Sequence, residues 1–251
     1  MKNIYRLTIP YMDVYTTVYV IKTDDGAVVF DAGSFGSDVK DYIVPFLREL
    51  GIAHHMVKYI VVSHNHEDHS GGLEEFVKTF PRVCIVSQNT EVNEKYRDYN
   101  VLNPEDDEEI LNVLKIVTIK GHTNDCIGVY DTRTGTLISG DCLQMYGLKG
   151  SGKWGCGIVF INEHLREFEK LRKMDIRHIL MAHDYYPYGY SHSGEDVERV
   201  YDTCIGALEE IKDLITKNID ADDEVICEFY NSSQKPKIGT HIVAAVRREL
   251  L

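Results

Sequence analysis

The sequence predicts an α/β protein, and three observations lead there. Short runs rich in Val, Ile, Tyr and Thr alternate with longer runs whose apolar residues recur at helical spacing. Five apolar strand candidates end in a brief Gly- or Ser-containing step carrying His or Asp, at Asp31, the His64–His69 cluster, His122, Asp141 and His183. Strands running the same way in a sheet would bring such ends to one rim, where open α/β sheets bind ligands. The composition, 43% hydrophobic and 27% charged over 251 residues, provides a core without disulfide staples.

Residues 14–22 read as a strand, Asp24-Asp25-Gly26 as a turn and residues 27–30 as a second strand, so the chain opens with a hairpin. That strand ends in Asp31-Ala32-Gly33. Ser37 then reads as a helix N-cap. Val39, Tyr42, Ile43, Phe46, Leu47 and Leu50 recur at helical spacing, Gly51 closes the helix, and Pro45 inside it predicts a kink or break. Residues 59–63 form the strand before the histidine cluster and 71–80 the helix after it. A short strand is expected over 83–87, a helix over 89–100 and an acidic, solvated loop over 103–109. Residues 115–120 form a strand ending in Gly121-His122-Thr123. Strands 127–131 and 136–139 flank the turn Thr132-Arg133-Thr134-Gly135, and the second ends in Gly140-Asp141. Residues 147–157, with five glycines, two lysines and the only Trp, read as a mobile surface loop. Leu165, Phe168, Leu171 and Met174 mark a helix, and strand 178–181 ends in Ala182-His183-Asp184. Residues 195–217 form the longest helix, with Val197, Val200, Tyr201, Cys204, Leu208, Ile211 and Ile215 on one face. The pattern is weaker beyond it, with a short helix over 240–250.

The stretch from Ser63 to Gly72 places three histidines and an aspartate in six residues, as His-x-His-x-Asp-His. Imidazoles and carboxylates crowded at a strand end must be desolvated together, and a bound cation is the usual compensation. The other strand ends add His122, Asp141 and His183. Nitrogen and carboxylate donors without thiolate suit Zn, Fe or Mn better than Mg or Ca. These seven residues exceed one tetrahedral shell and suit two ions: His64, His66 and His122 on one, Asp68, His69 and His183 on the other, with Asp141 bridging. Water would complete each shell, as in a catalytic site.

The order His-x-His-x-Asp-His, Gly-His-Thr, Ser-Gly-Asp and a late His resembles the metallo-β-lactamase superfamily, most of all its hydrolase branches that include glyoxalase II. All the family's ligand positions have a match here, and the resemblance covers roughly residues 14–184. It implies a four-layer αβ/βα sandwich with a dinuclear site on one edge and, in this chain, extra C-terminal helices. The expectation is a single domain over 1–251, with 194–251 a mainly helical extension. In the family the position of Asp31 is an aspartate near the metals, as a ligating His needs to fix its tautomer.

The resemblance implies a metal-dependent hydrolase of a small substrate. Two divalent ions, zinc first and Fe or Mn as alternatives, roughly 3.5–4 Å apart would share a water and lower its pKa toward 7. The resulting hydroxide would attack an ester-like centre such as a thioester, lactone or phosphodiester, with Asp68 orienting it. The competing reading is a non-haem iron enzyme on the same fold, reducing oxygen or nitric oxide or oxidising a thiol. Di-iron branches typically carry Glu where this chain has His66, and usually a flavodoxin-like domain for which this chain has no room. A non-catalytic metal-binding protein is the third reading.

Candidate substrate contacts are Tyr146, Lys149 in the glycine-rich loop, Tyr185, Tyr186 and His192, although a surface position suits His192 as well. Cys142 follows a predicted ligand but has no activating base, so it reads as a buried structural thiol. The net charge of −13, spread along the chain, argues against nucleic acid as a partner. Six cysteines without a Cys-x-x-Cys pair, and no run of signal-peptide or membrane-spanning character, point to the cytoplasm and to no membrane association.

Overall fold

The computed structural model describes residues 3–250. The chain divides into two compact units, one within residues 1–118 and 127–134, the other within 119–126 and 135–251. In the first unit, strands β1 (Ile4–Tyr11), β2 (Val14–Thr23), β3 (Gly26–Phe30), β4 (Val57–Val61), β5 (Cys84–Val86) and β6 (Asn100–Leu102) form one sheet in that order. The first three are antiparallel neighbours, and β3 to β6 pair in parallel. Parallel neighbours need crossovers, and helices fill them. Helices α1 (Gly36–Asp38) and α2 (Val44–Glu49) lie between β3 and β4; α3 (Glu67–Ser70) and α4 (Leu73–Thr79) between β4 and β5; α5 (Thr90–Lys95) between β5 and β6. Val39, Ile43, Leu47, Phe76, Val77 and Phe80 from the crossovers pack with Val18, Val20, Val29 and Ile60 of the strands in one buried cluster.

The pairing levels the strand ends. Asp31 N donates to Val61 O at 2.8 Å and Val62 N to Val86 O at 2.9 Å. The parallel run therefore delivers Asp31 and Ser63-His64 side by side at one edge of the sheet. Strands β7 (Glu109–Ile110), β8 (Leu114–Thr118) and β9 (Ile127–Asp131) complete the unit as an antiparallel series.

Three local features add to or revise the sequence reading. Strand β1 had no clear signal in the sequence: its residues are mixed in polarity, Pro10 lies within it, and only Ile9 is fully buried, as suits an edge strand. Pro45 falls where the helix changes type, in the first turn of α2, in keeping with the irregularity expected there. Residues Val39–Ile43 just before α2 widen into an i→i+5 turn, which absorbs the carbonyl that proline cannot serve. The helix expected over 89–100 stops at Lys95, after Asn89 caps it by accepting from Val92 N at 2.9 Å, because residues 100–102 pair with β5 instead.

In the second unit, β10 (Thr136–Gly140) and β11 (His178–Met181) are parallel, joined by the crossover helix α6 (Ile161–Leu171), and β12 (Ser191–Ser193) pairs antiparallel with β11. Helices α7 (Asp196–Lys217), α8 (Asp223–Asn231) and α9 (Thr240–Leu250) follow. Leu208, Ile211 and Ile215 of α7 share a core with Ile226 and Tyr230 of α8 and with Ile242, Val243 and Val246 of α9. The glycine-rich loop, expected to be mobile, is tied along both arms. Lys149 N donates to Asp184 O at 2.7 Å, Tyr186 N to Gly147 O at 2.8 Å and Gly155 N to Lys237 O at 2.8 Å. No helix of the described residues is long and apolar enough to cross a membrane.

Candidate metal centre

In the first unit four of the predicted ligands lie between β4 and α4, and Asp31 lies under them. Asp31 is fully buried at a left-handed φ of 66°, which turns its side chain beneath the next loop. Its Oδ1 accepts from Ser63 N at 2.8 Å; its Oδ2 accepts from Ser63 Oγ at 3.0 Å and faces His69 Nδ1 at 2.7 Å. Burial raises the Asp31 carboxyl above the usual carboxylate range, opposed by His69 and by the Ser63 hydrogen bonds. Since Asp31 accepts, His69 Nδ1 carries the proton and Nε2 is left to a ligand. Ser63 Oγ likewise stands 3.0 Å from His64 Nδ1, which leaves His64 Nε2 on the opposite side of its ring.

The loop can approach this closely because of glycine. A Cβ at Gly71 would come within 1.9 Å of Ser34 O, beside the Asp31 turn, while Ala32 N donates to His69 O at 2.8 Å. His64 Nε2 lies 2.9 Å from His66 Nδ1, and His69 Nε2 lies 3.3 Å from Asp68 Oδ2.

The second unit holds the other three predicted ligands. Asp141 and His183 follow the parallel strands β10 and β11, where Ala182 N donates to Gly140 O at 3.2 Å. Asp141 presents its two oxygens to different histidines: Oδ1 is 3.2 Å from His183 Nε2 and Oδ2 is 3.9 Å from His122 Nε2. His122 Nδ1 lies 2.9 Å from Gly157 O, and Gly157 N donates to Gln144 Oε1 at 2.6 Å. The carbonyl therefore accepts from Nδ1 and turns Nε2 toward Asp141. Below this turn His164 is fully buried, with Nδ1 donating to Lys120 O at 2.7 Å and Nε2 without a partner. A Cβ at Gly121 would lie 2.3 Å from the His164 ring, so glycine permits this contact too.

These donor sets fit a cation. In a tetrahedral shell with bonds of ~2.05 Å the donor–donor edge is ~3.3 Å. Separations of 2.9 Å for His64–His66, 3.3 Å for Asp68–His69 and 3.2 Å for Asp141–His183 lie near that edge. All are nitrogen or carboxylate donors, as Zn, Fe or Mn prefers.

The predicted substrate contacts divide. Tyr185 is fully buried and its hydroxyl donates to Asp141 Oδ1 at 2.8 Å, so that group is engaged inside the protein rather than open to a substrate. His192 is buried in β12, not at the surface, and its Nε2 donates to Gly189 O at 3.0 Å. Tyr146 and Tyr186 are part-exposed with ring centroids 6.4 Å apart, and Lys149 is exposed. Sequence reasoning passed over Gly157, Gln144 and His164, which carry no pattern outside the fold, and Tyr11, whose hydroxyl donates to Glu67 Oε2 at 3.2 Å. All six cysteines are free and buried, and burial pushes the Cys156 and Cys204 thiols up to about 12, so neither is a nucleophile.

The sequence model of the metallo-β-lactamase superfamily matches residues 11–183, a span that contains all seven predicted ligands and Asp31. The chain belongs to that superfamily, and its α/β fold is of the metallo-β-lactamase type. A hydroxyacylglutathione hydrolase of Prochlorococcus marinus is 28% identical over 142 residues, covering 51% of this chain and 52% of the relative. The chain spans about half the length of the curated relatives it matches. A metallo-beta-lactamase family protein of Thermus thermophilus superposes with a TM-score of 0.63 at 18% identity, over 86% of this chain and 83% of that one. The flavodiiron protein of Giardia intestinalis gives 0.64 at 17% identity, over 81% and 57%. At these identities the likeness to solved structures shows the fold alone.

Two outcomes are expected. Asp31→Asn removes the carboxylate that fixes His64 and His69 through Ser63 and Nδ1, and should weaken zinc binding about 10–100-fold; competition with a chromophoric chelator measures this, and unchanged affinity would refute the role of Asp31. The second concerns His164, held by burial at a pKa of about 4 against an ordinary 6.5. The unfolded chain binds a proton there that the folded chain refuses. The stabilisation is complete above pH 6.5 and is lost as pH falls through about 4, up to about 3 kcal/mol. In denaturant titrations of metal-free protein, His164→Gln should show a shallower loss of stability across that window than the wild type.

Proposed function

We propose that the chain is a metal-dependent hydrolase with two ions, one held by His64, His66 and His122, the other by Asp68, His69 and His183, with Asp141 shared between them. The observation that carries this reading is the Asp141 carboxylate, whose oxygens are directed at separate histidines, Oδ1 at His183 and Oδ2 at His122. A carboxylate so placed suits a bridge between two ions better than a ligand to one. When bound, the ions supply a water of lowered pKa and an electrophilic hold on the substrate oxygen.

The remaining chemistry belongs to side chains. Asp68 is partly exposed and beside His69, and so can orient the attacking water or hold its proton. Water oxygen bonds to the acyl carbon, the bond to sulfur or oxygen breaks, and the leaving group takes the proton. Thioesters are the first substrate class to test, since several curated relatives are named hydroxyacylglutathione hydrolase; lactones and phosphodiesters follow. Lys149, Tyr146 and Tyr186 are the groups we assign to substrate recognition. The net charge of −13 suits a small molecule and not nucleic acid. Buried free cysteines accord with a reducing cytoplasm.

His66→Ala should lose about one equivalent of zinc on metal quantification and lower thioester or lactone hydrolysis at least about 100-fold, the scale of a lost catalytic metal function. Full metal content with full activity in that variant would end the proposal. Strong visible absorption from bound iron, together with no hydrolysis in the wild type, would favour the iron redox alternative.

A further inference from the structure

Asp141 is the residue on which the two-ion reading turns, and its carboxylate plane needs something to fix it. The terminal torsion of an aspartate is broad and roughly two-fold, so its oxygens are not aimed by the rotamer alone. Tyr185 meets that need. Its hydroxyl donates to Oδ1 at 2.8 Å, and its side chain is fully buried. The backbone around it is fixed on both sides: Tyr186 N donates to Gly147 O at 2.8 Å, and Gly189 N donates to Tyr185 O at 2.7 Å. Leu148 and Tyr185 form a β-bridge, and the rings of His183 and Tyr185 meet edge to face at 5.9 Å. One rigid side chain thus touches two ligands that leave different strands, Asp141 after β10 and His183 after β11.

We propose that Tyr185 is a positioning residue, holding Asp141 in the orientation that turns one oxygen toward His183 and the other toward His122. This rests on the two-ion reading above. The first ion can be taken up through histidine nitrogens, whereas the second requires a shared carboxylate correctly turned. Tyr185 therefore governs the affinity of the second equivalent and neither contacts nor selects the substrate.

Calorimetric titration of metal-free protein with zinc tests this without any assay of activity. Wild type should bind two equivalents. Tyr185→Phe should keep the first unchanged and bind the second about 10–100-fold more weakly, while the metal-free variant unfolds as cooperatively as the wild type. If the variant binds both equivalents as the wild type does, the role of Tyr185 is refuted and the two-ion reading stands. If the wild type binds only one equivalent, the two-ion reading falls and this inference falls with it. Should the variant fail to fold, a ring-fluorinated tyrosine installed at position 185 keeps the hydroxyl and strengthens its donation. A changed affinity for the second equivalent alone supports the proposal, and no change overturns it.

Discussion

The Asp31 carboxylate is the interaction on which the arrangement of His64 and His69 in the first unit depends. It is wholly buried, where an uncompensated charge is costly, and its three contacts with Ser63 and His69 offset part of that cost. Those contacts also build the site. They join the end of β3 to the loop after β4 and assign the proton to His69 Nδ1, which leaves Nε2 for a ligand. The left-handed backbone at Asp31 is the strained conformation that makes this reach possible, and the surrounding hydrogen bonds hold it there.

The second unit reaches the same end with neutral partners. A backbone carbonyl accepts from Nδ1 of His122, and a phenol fixes Asp141. Each of these groups is in turn anchored, Gly157 by Gln144 and the Tyr185 segment by the glycine-rich loop. That loop is therefore part of the scaffold of the site as well as a candidate contact for substrate. Three of the five glycines allow close approach: a Cβ at Gly147 would meet Trp154 O at 2.3 Å, one at Gly155 would meet Lys237 O at 2.7 Å, and one at Gly157 would meet Gln144 Oε1 at 3.1 Å, whereas Gly150 and Gly152 face open space.

The proposed ligand residues stood out in the sequence because they occupy short, ordered motifs at the ends of apolar runs. The strands carrying Asp31, His64, Asp141 and His183 were legible for the same reason, since buried parallel strands read as continuous Val and Ile. What supports the ligands was not. Gln144 and Gly157 meet only because the glycine-rich loop between them folds back, and His164 comes under Gly121 from a helix much later in the chain. Tyr185 was noticed, but whether a tyrosine faces a substrate or a ligand depends on burial, which its sequence neighbours do not encode. Strand β1 and the early stop of α5 were missed because pairing with a neighbouring strand, not local propensity, decides them.

The central claim is that Asp141 joins two ions. A crystal structure of zinc-loaded protein with anomalous difference maps recorded at the zinc edge tests it most directly. Two peaks roughly 3.5–4 Å apart, each within bonding distance of a different Asp141 oxygen, are the predicted result. A single peak, or a pair of which only one touches Asp141, would contradict it.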